Sequence, residues 1–262
     1  MSPFNYYDHI ASIYDQTRWM TESIAEEVAD YILEWVDANP YTSFLEPGVG
    51  TGLNVLPLVK RGYSVTGIDI SREMLDQFSR KLEGIPRNLT LIQADASQLS
   101  FPDNSFDVVL TVHMVHTVSH WQKFLAEIER VLKPGGFYLN AQWITPPARM
   151  EFERHFKAIL IQESSPQSPP AKHPRINVEN YFRRQGYRPH YSIAKTWWVS
   201  NTVVELLSFL KARAYGLCWH TSDAAFQRAL QAFEAFCLEH YGSLDAEIAS
   251  AAQFEIWSYH LT

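Results

Sequence analysis

Three glycines at alternate positions, Gly48, Gly50 and Gly52, directly follow the apolar run of "FLEPGVGTGLNVL", and a carboxylate, Glu46, stands just ahead of them. A turn of this composition lets a ligand approach bare backbone, because the chain can take positive φ and carries no Cβ to block contact. Three classes of ligand use such turns. A nucleoside triphosphate needs Gly-Lys-Ser/Thr at the end of the loop, but Gly52 is followed by Leu53 and Asn54. A dinucleotide site spaces its last glycine differently and would have a glycine where Leu53 stands. Glu46 adds a charge argument. A carboxylate within about 4 Å of a diphosphate charge is repelled by roughly 4 kcal/mol at an effective dielectric of about 20, and an ammonium is attracted by a similar amount. A ligand with an amine near Glu46, a carboxylate near the start of the following helix and a ribose beyond satisfies each group, as the amino-acid tail and nucleoside of S-adenosylmethionine would.

Two more carboxylates fall at strand ends. Asp69 closes "VTGIDIS", about twenty residues after the turn, where it can accept from ribose hydroxyls or cap a helix. Asp95 closes "LIQADASQL" and could accept from an adenine amino group. Histidines cluster in "TVHMVHTVSHW": His113, His116 and His120 are candidate general bases, with packing or surface positions as the plainer reading of the last two.

These residues need a scaffold. The segments "TSFLEP", "YSVTGIDI", "LTLIQAD", "FDVVLTV" and "GFYLNAQWI" read as strands alternating with helical stretches, which implies a parallel sheet with helices on both faces. "WQKFLAEIERVLKPGG" carries a helical stripe of Phe124, Ile128, Val131 and Leu132 and a Lys-Pro-Gly stop. Ahead of them, "ESIAEEVADYILEWV" puts Ile24, Val28, Ile32 and Trp35 on one helical face. Beyond Trp143 a helix from about residue 149 to 162 leads into the Pro- and Ser-rich "SSPQSPPAKHP", read as a surface loop. "YRPHYSIAKTWWVS" reads as a strand, residues 201–250 as wholly helical and "QFEIWSYHL" as a final strand. The expected fold is therefore α/β, a Rossmann-like, seven-stranded, mostly parallel sheet with a helical cap inserted before the last strand. The expected division is 1–38 as an N-terminal helical segment closing over the cofactor, 39–199 as the α/β core, 200–250 as the cap and 251–262 as the final strand.

Composition narrows the partners. A net charge of −7 over 262 residues argues against a basic face for RNA or DNA and favours a small-molecule substrate. Aromatic residues at 14% suggest an apolar pocket. Cys218 and Cys237 have no metal-type spacing and read as buried, inert thiols, so no metal is expected. No run approaches a membrane span and the start is not that of a leader, so a cytoplasmic location is expected. No long heptad announces an oligomer.

Together, "YDHIASIYDQTR", "FLEPGVGTG", "VTGIDISREML", "IQADASQLSFPDNSFDVVLTVHMVH" and "IERVLKPGGFYL" resemble the class I S-adenosylmethionine-dependent methyltransferases, in their small-molecule branch that includes the ubiquinone-biosynthesis type. The resemblance covers roughly residues 5–142. It implies that Glu46, Gly48 and Gly50 hold the methionine tail, Asp69 the ribose, and Ile70 and Met74 the flanks of the adenine. It further implies that Asp95 and Ala96 read the adenine edge, that Val112 and His113 lie beside the sulfonium, and that Tyr14 and Arg18 close over the cofactor. Pro57, early in the helix after the turn, departs from the pattern and requires that helix to kink or start late. On the acceptor side, Trp197, Trp198, Tyr215, Trp219 and His220 are candidates to line an apolar pocket, and Arg149 and Arg213 to meet an acceptor carboxylate, with core packing and solvated surface as the plainer readings. Two rival readings stay open: an NAD(P)-dependent oxidoreductase and a non-catalytic nucleoside-binding protein.

Overall fold

The computed structural model describes residues 4–164, 176–219 and 221–261. Two short elements lead, α1 (Phe4–Ile10) and a 3₁₀ turn at Asp15–Thr17, followed by α2 (Glu22–Trp35). Then come β1 (Ser43–Pro47), α3 (Leu56–Lys60), β2 (Ser64–Asp69), α4 (Arg72–Arg80), β3 (Leu89–Gln93), β4 (Phe106–Val112), α5 (Trp121–Val131) and β5 (Leu132–Ile144). The chain continues through α6 (Pro147–Glu163), α7 (Val178–Arg184), β6 (His190–Thr202), α8 (Val203–Lys211), α9 (Asp223–Tyr241) and β7 (Glu247–Leu261).

The strands form one seven-stranded sheet in the order β3-β2-β1-β4-β5-β7-β6. The first five run parallel, and β7 lies antiparallel between β5 and β6. Winding reverses between β1 and β4, which opens a crevice at their carboxyl ends, the place where such sheets bind ligands. Alternation along the strands feeds two cores. Phe44, Val65, Val108, Leu139 and Ile256 face α2 and α3, while Leu45, Ile68, Val109, Tyr138 and Tyr259 face α5 and α7. A third apolar cluster joins α6, α8 and α9 through Phe152, Phe156, Leu206, Leu210, Phe226 and Phe233. These helices follow the upper ends of β5 and β6 and precede β7, so they stand over the same edge of the sheet as the crevice.

Two expectations are corrected. Residues 201–250 are not wholly helical: Thr202 ends β6 and β7 begins at Glu247. "EIASAA" is rich in Ala and Ser, which have little strand preference of their own. Pairing decides it, since Ala252 and Ala251 lie opposite Trp197 and Trp198, and small residues there leave room for indoles. The helix after the glycine turn starts late, as Pro57 required: it begins only at Leu56, with Pro57 in its first turn, so a ligand carboxylate at the glycines would not meet a helix N-terminus. Residues 165–174 of the Pro-rich stretch and His220 lie outside the described residues.

Candidate active site

Glu46 is the most constrained group of the site. It sits on β1, fully buried; its Oε1 accepts from Asn54 Nδ2 at 2.8 Å and its Oε2 has no partner among the described residues. Burial raises its pKa well above the usual carboxylate range, and the nearby Asp69 raises it further, while Asn54 opposes the shift. An orphaned carboxylate oxygen costs free energy that a cationic donor would recover.

The turn beyond it has φ of +73° at Gly48, +56° at Gly50 and +74° at Gly52. The three glycines do different things. A Cβ on Gly52 would overlap the Phe78 ring of α4, so this glycine serves close packing. A Cβ on Gly48 would come within 2.8 Å of Met114 Sδ, whereas Gly50 has open space above it. The N–H groups of Gly48 and Val49 bond to Ile68 O at 2.7 and 2.9 Å, and that of Gly50 to Asp69 Oδ2 at 2.8 Å. Asp69 therefore braces the turn. Its Oδ1 accepts from Ser71 N at 2.9 Å, its pKa is raised chiefly by burial, and the cap of α4 is Ser71, not Asp69.

Asp95 is exposed at the end of β3, and its Oδ1 accepts from Ser97 N at 2.8 Å; Ala96 next to it is buried. Ile70 is open to solvent. Met74 is not. It is buried beneath α1, in a cluster with Ile10, Ala11, Tyr7 and Tyr14.

That cluster belongs to the N-terminal segment, which fastens onto the crevice through groups the sequence reading passed over. Asp8 accepts from Ser71 Oγ at 2.5 Å, and Asp15 accepts from Thr51 Oγ1 at 2.5 Å and pairs with Lys81. Lys81 also donates to Thr51 O at 2.7 Å. The signal was present in the repeated Tyr-Asp of "YDHIASIYD", which spaces two carboxylates seven residues apart. Arg18 stacks on the Tyr14 ring at 4.0 Å, with no ion pair among the described residues. Its charge helps depress the pKa of His113.

His113 follows Val112, the last residue of β4, in the left-handed region with φ of +51°. Its Nε2 accepts from Trp143 N at 2.9 Å, so the neutral ring carries its proton on Nδ1. Its pKa falls to about 4, first through burial and then through the neighbouring His116 and Arg18. The expectation of a general base at His113 is corrected accordingly: its one lone pair is already taken, and it offers a hydrogen-bond donor. His116 is exposed, and His120 lies ahead of α5 with no capping bond from its side chain.

On the acceptor side, Arg149 is buried rather than solvated. It donates to Thr17 O at 2.8 Å and to the Tyr215 hydroxyl, pairs with Glu153 at 3.2 Å and lies 4.8 Å from the Trp19 ring. Arg213 instead holds the α8–α9 connection, bonding Cys218 O, Thr221 O and Asp223. Trp198 is 71% exposed. Trp197 donates to Trp19 O at 2.8 Å, and Trp219 stacks on Tyr6 with centroids 4.3 Å apart. Cys218 and Cys237 are buried free thiols, pushed up to about 12 by burial.

Residues 45–140 match the family described as "Methyltransferase domain". Over 158 residues the chain is 31% identical to a demethylmenaquinone methyltransferase of Clavibacter sepedonicus, a match covering 58% of this chain and 64% of that one. Across three of the curated relatives the matched stretches span 33 to 64% of their lengths. A solved structure of a putative methyltransferase from an antibiotic biosynthesis pathway of Anabaena variabilis superposes with a TM-score of 0.61 at 16% identity, covering 92% of this chain and 99% of that one. The [4+2]-cyclase SpnF superposes at 0.57 with 17% identity, covering 98% and 95%. Residues 45–140 are thus similar to the methyltransferase-domain family, and the fold around them is the one the two solved structures share. A cyclase on the same scaffold shows that the reaction must be argued from the site.

Proposed function

We propose that the protein is an S-adenosylmethionine-dependent methyltransferase acting on a small molecule. One observation carries the reading: the buried, partnerless Oε2 of Glu46 beneath the glycine turn, which suits an ammonium and repels a diphosphate. In this reading Glu46 faces the amine, the open space above Gly50 admits the tail, the Arg18 guanidinium serves the carboxylate, and Tyr14 covers the tail. Gly48 is the floor under Met114. Asp69 accepts from the ribose, Ile70 provides one apolar flank of the adenine, and Asp95 with the backbone of Ala96 takes its edge. Met74 supports this wall from beneath α1. Val112 and His113 end the strand beside the reacting centre. When bound, the cofactor supplies an electrophilic methyl on a sulfonium. The chain's task is then to hold an acceptor in line with that methyl and to exclude water.

Placement in the cytoplasm is part of the proposal; the described residues contain no helix long and apolar enough to cross a membrane. Titration calorimetry with S-adenosylhomocysteine tests the cofactor, with NADH as the competing ligand. Binding of the first and none of the second is expected. Asp69→Ala should weaken the first by about 1 to 3 kcal/mol, as a desolvated contact is lost. Heat from NADH alone would return the oxidoreductase reading.

A further inference from the structure

Beside the cofactor turn lies a cavity of about 350 Å³, in the size range of small-ligand sites. It is lined by His113 and Met114 after β4, by Asn140 and Trp257 of the sheet, and by the start of α7. Met114 lines this cavity and also stands over Gly48, so a single side chain separates it from the cofactor turn.

The polar groups of the lining have a common character. The Asn140 oxygen accepts weakly from Thr111 at 3.4 Å, and the Asn177 oxygen caps α7 by accepting from Asn180 N at 2.7 Å; neither amide NH₂ donates to another of the described residues. Glu179 is paired with Arg183 at 2.8 Å, and no Lys or Arg is among the described lining residues. A carboxylate or phosphate entering here would lose water and meet no Lys or Arg among the described lining residues.

We propose that this cavity is the acceptor pocket and that it takes a neutral small molecule presenting an O–H or N–H, held by the Asn140 amide over the Trp257 ring. The proposal rests on the methyltransferase reading above. His116, at the cavity wall, is the proton acceptor. As the nucleophilic oxygen or nitrogen gains the methyl, the carbon–sulfur pair stays on sulfur, and the proton passes to the neutral imidazole and then to solvent.

The test uses the full chain, methyl-deuterated S-adenosylmethionine, and a small-metabolite extract split at pH 7 on an anion-exchange resin into retained and unretained fractions, read by mass spectrometry. Label is expected in the unretained fraction. Ile176→Trp, which fills the cavity, and Asn140→Leu, which removes the amide, should each cut labelled product at least tenfold. Calorimetry should find S-adenosylhomocysteine binding within twofold of the parent for both, which also shows that the variants fold. Label only in the retained fraction overturns the neutral-acceptor assignment. Label undiminished in both variants overturns the cavity as the pocket. No label in either fraction overturns the transfer reading itself, and the pocket with it.

Discussion

Glu46 couples ligand binding to protons. Its pKa in the folded, ligand-free protein lies above the ordinary 4.5, so the stability it contributes is present below about pH 4.5 and is lost as pH rises through the elevated folded value. An ammonium at Oε2 reverses the shift and ionises the carboxyl. Calorimetry of S-adenosylhomocysteine near neutral pH, in buffers of different ionisation enthalpy, should therefore register proton release on binding. Glu46→Gln should abolish that release and weaken binding, yet raise the thermal midpoint of the ligand-free protein at pH 8. A variant that binds as before would show that this carboxylate meets no ligand cation, and one less stable at pH 8 would show that its burial is not costly there. The positions of Glu46, Gly50, Asp69 and Asp95 at strand ends and in the turn could be read from the sequence because strand-end carboxylates and a glycine turn are local patterns. Met74 was misread because what covers it, α1, lies more than sixty residues away in sequence.

Among the elements, the N-terminal segment is tied to the helical cluster by one buried guanidinium. Arg149 on α6 reaches Thr17 O in the 3₁₀ turn, next to Arg18, and the Tyr215 hydroxyl between α8 and α9. A buried charge held by a carboxylate, a carbonyl and a hydroxyl costs much to break and fixes the geometry of its partners. Arg149→Met should raise amide hydrogen exchange across residues 8–18 and weaken S-adenosylhomocysteine binding several-fold, although the side chain is not among the proposed cofactor contacts. Tyr215→Phe, the milder change, should loosen the α8–α9 connection more than residues 8–18. Unchanged exchange in residues 8–18 of Arg149→Met would rule out this tie. Nothing in the sequence marked Arg149 as buried, because an i,i+4 pair with Glu153 is equally common on helix surfaces and its other partners are a distant backbone carbonyl and a tyrosine 66 positions away.

Across the whole molecule, the order of strands and helices through β5 was readable because each strand is a short apolar run with a turn signal after it. The far edge was harder. β6 and β7 are long antiparallel strands whose contents only make sense as pairs, Trp197 with Ala252 and Trp198 with Ala251. Ala252 is fully buried, so Ala252→Leu should overpack this edge and cost about 1 to 3 kcal/mol. Urea unfolding would read this as a lower midpoint at constant slope, and an unmoved midpoint would mean the edge has room to spare.

The salt link between Lys81 and Asp15 straps the leading segment across the glycine turn. In the proposed reading a ligand seated beneath that strap leaves only after it lifts, so its release is expected to follow a half-exposed ion pair. Half-exposed pairs weaken with ionic strength. Raising salt from about 0.05 to 0.5 M should therefore hasten stopped-flow release of S-adenosylhomocysteine, and Lys81→Met should mimic the effect at low salt; a release rate indifferent to both would place the slow step elsewhere.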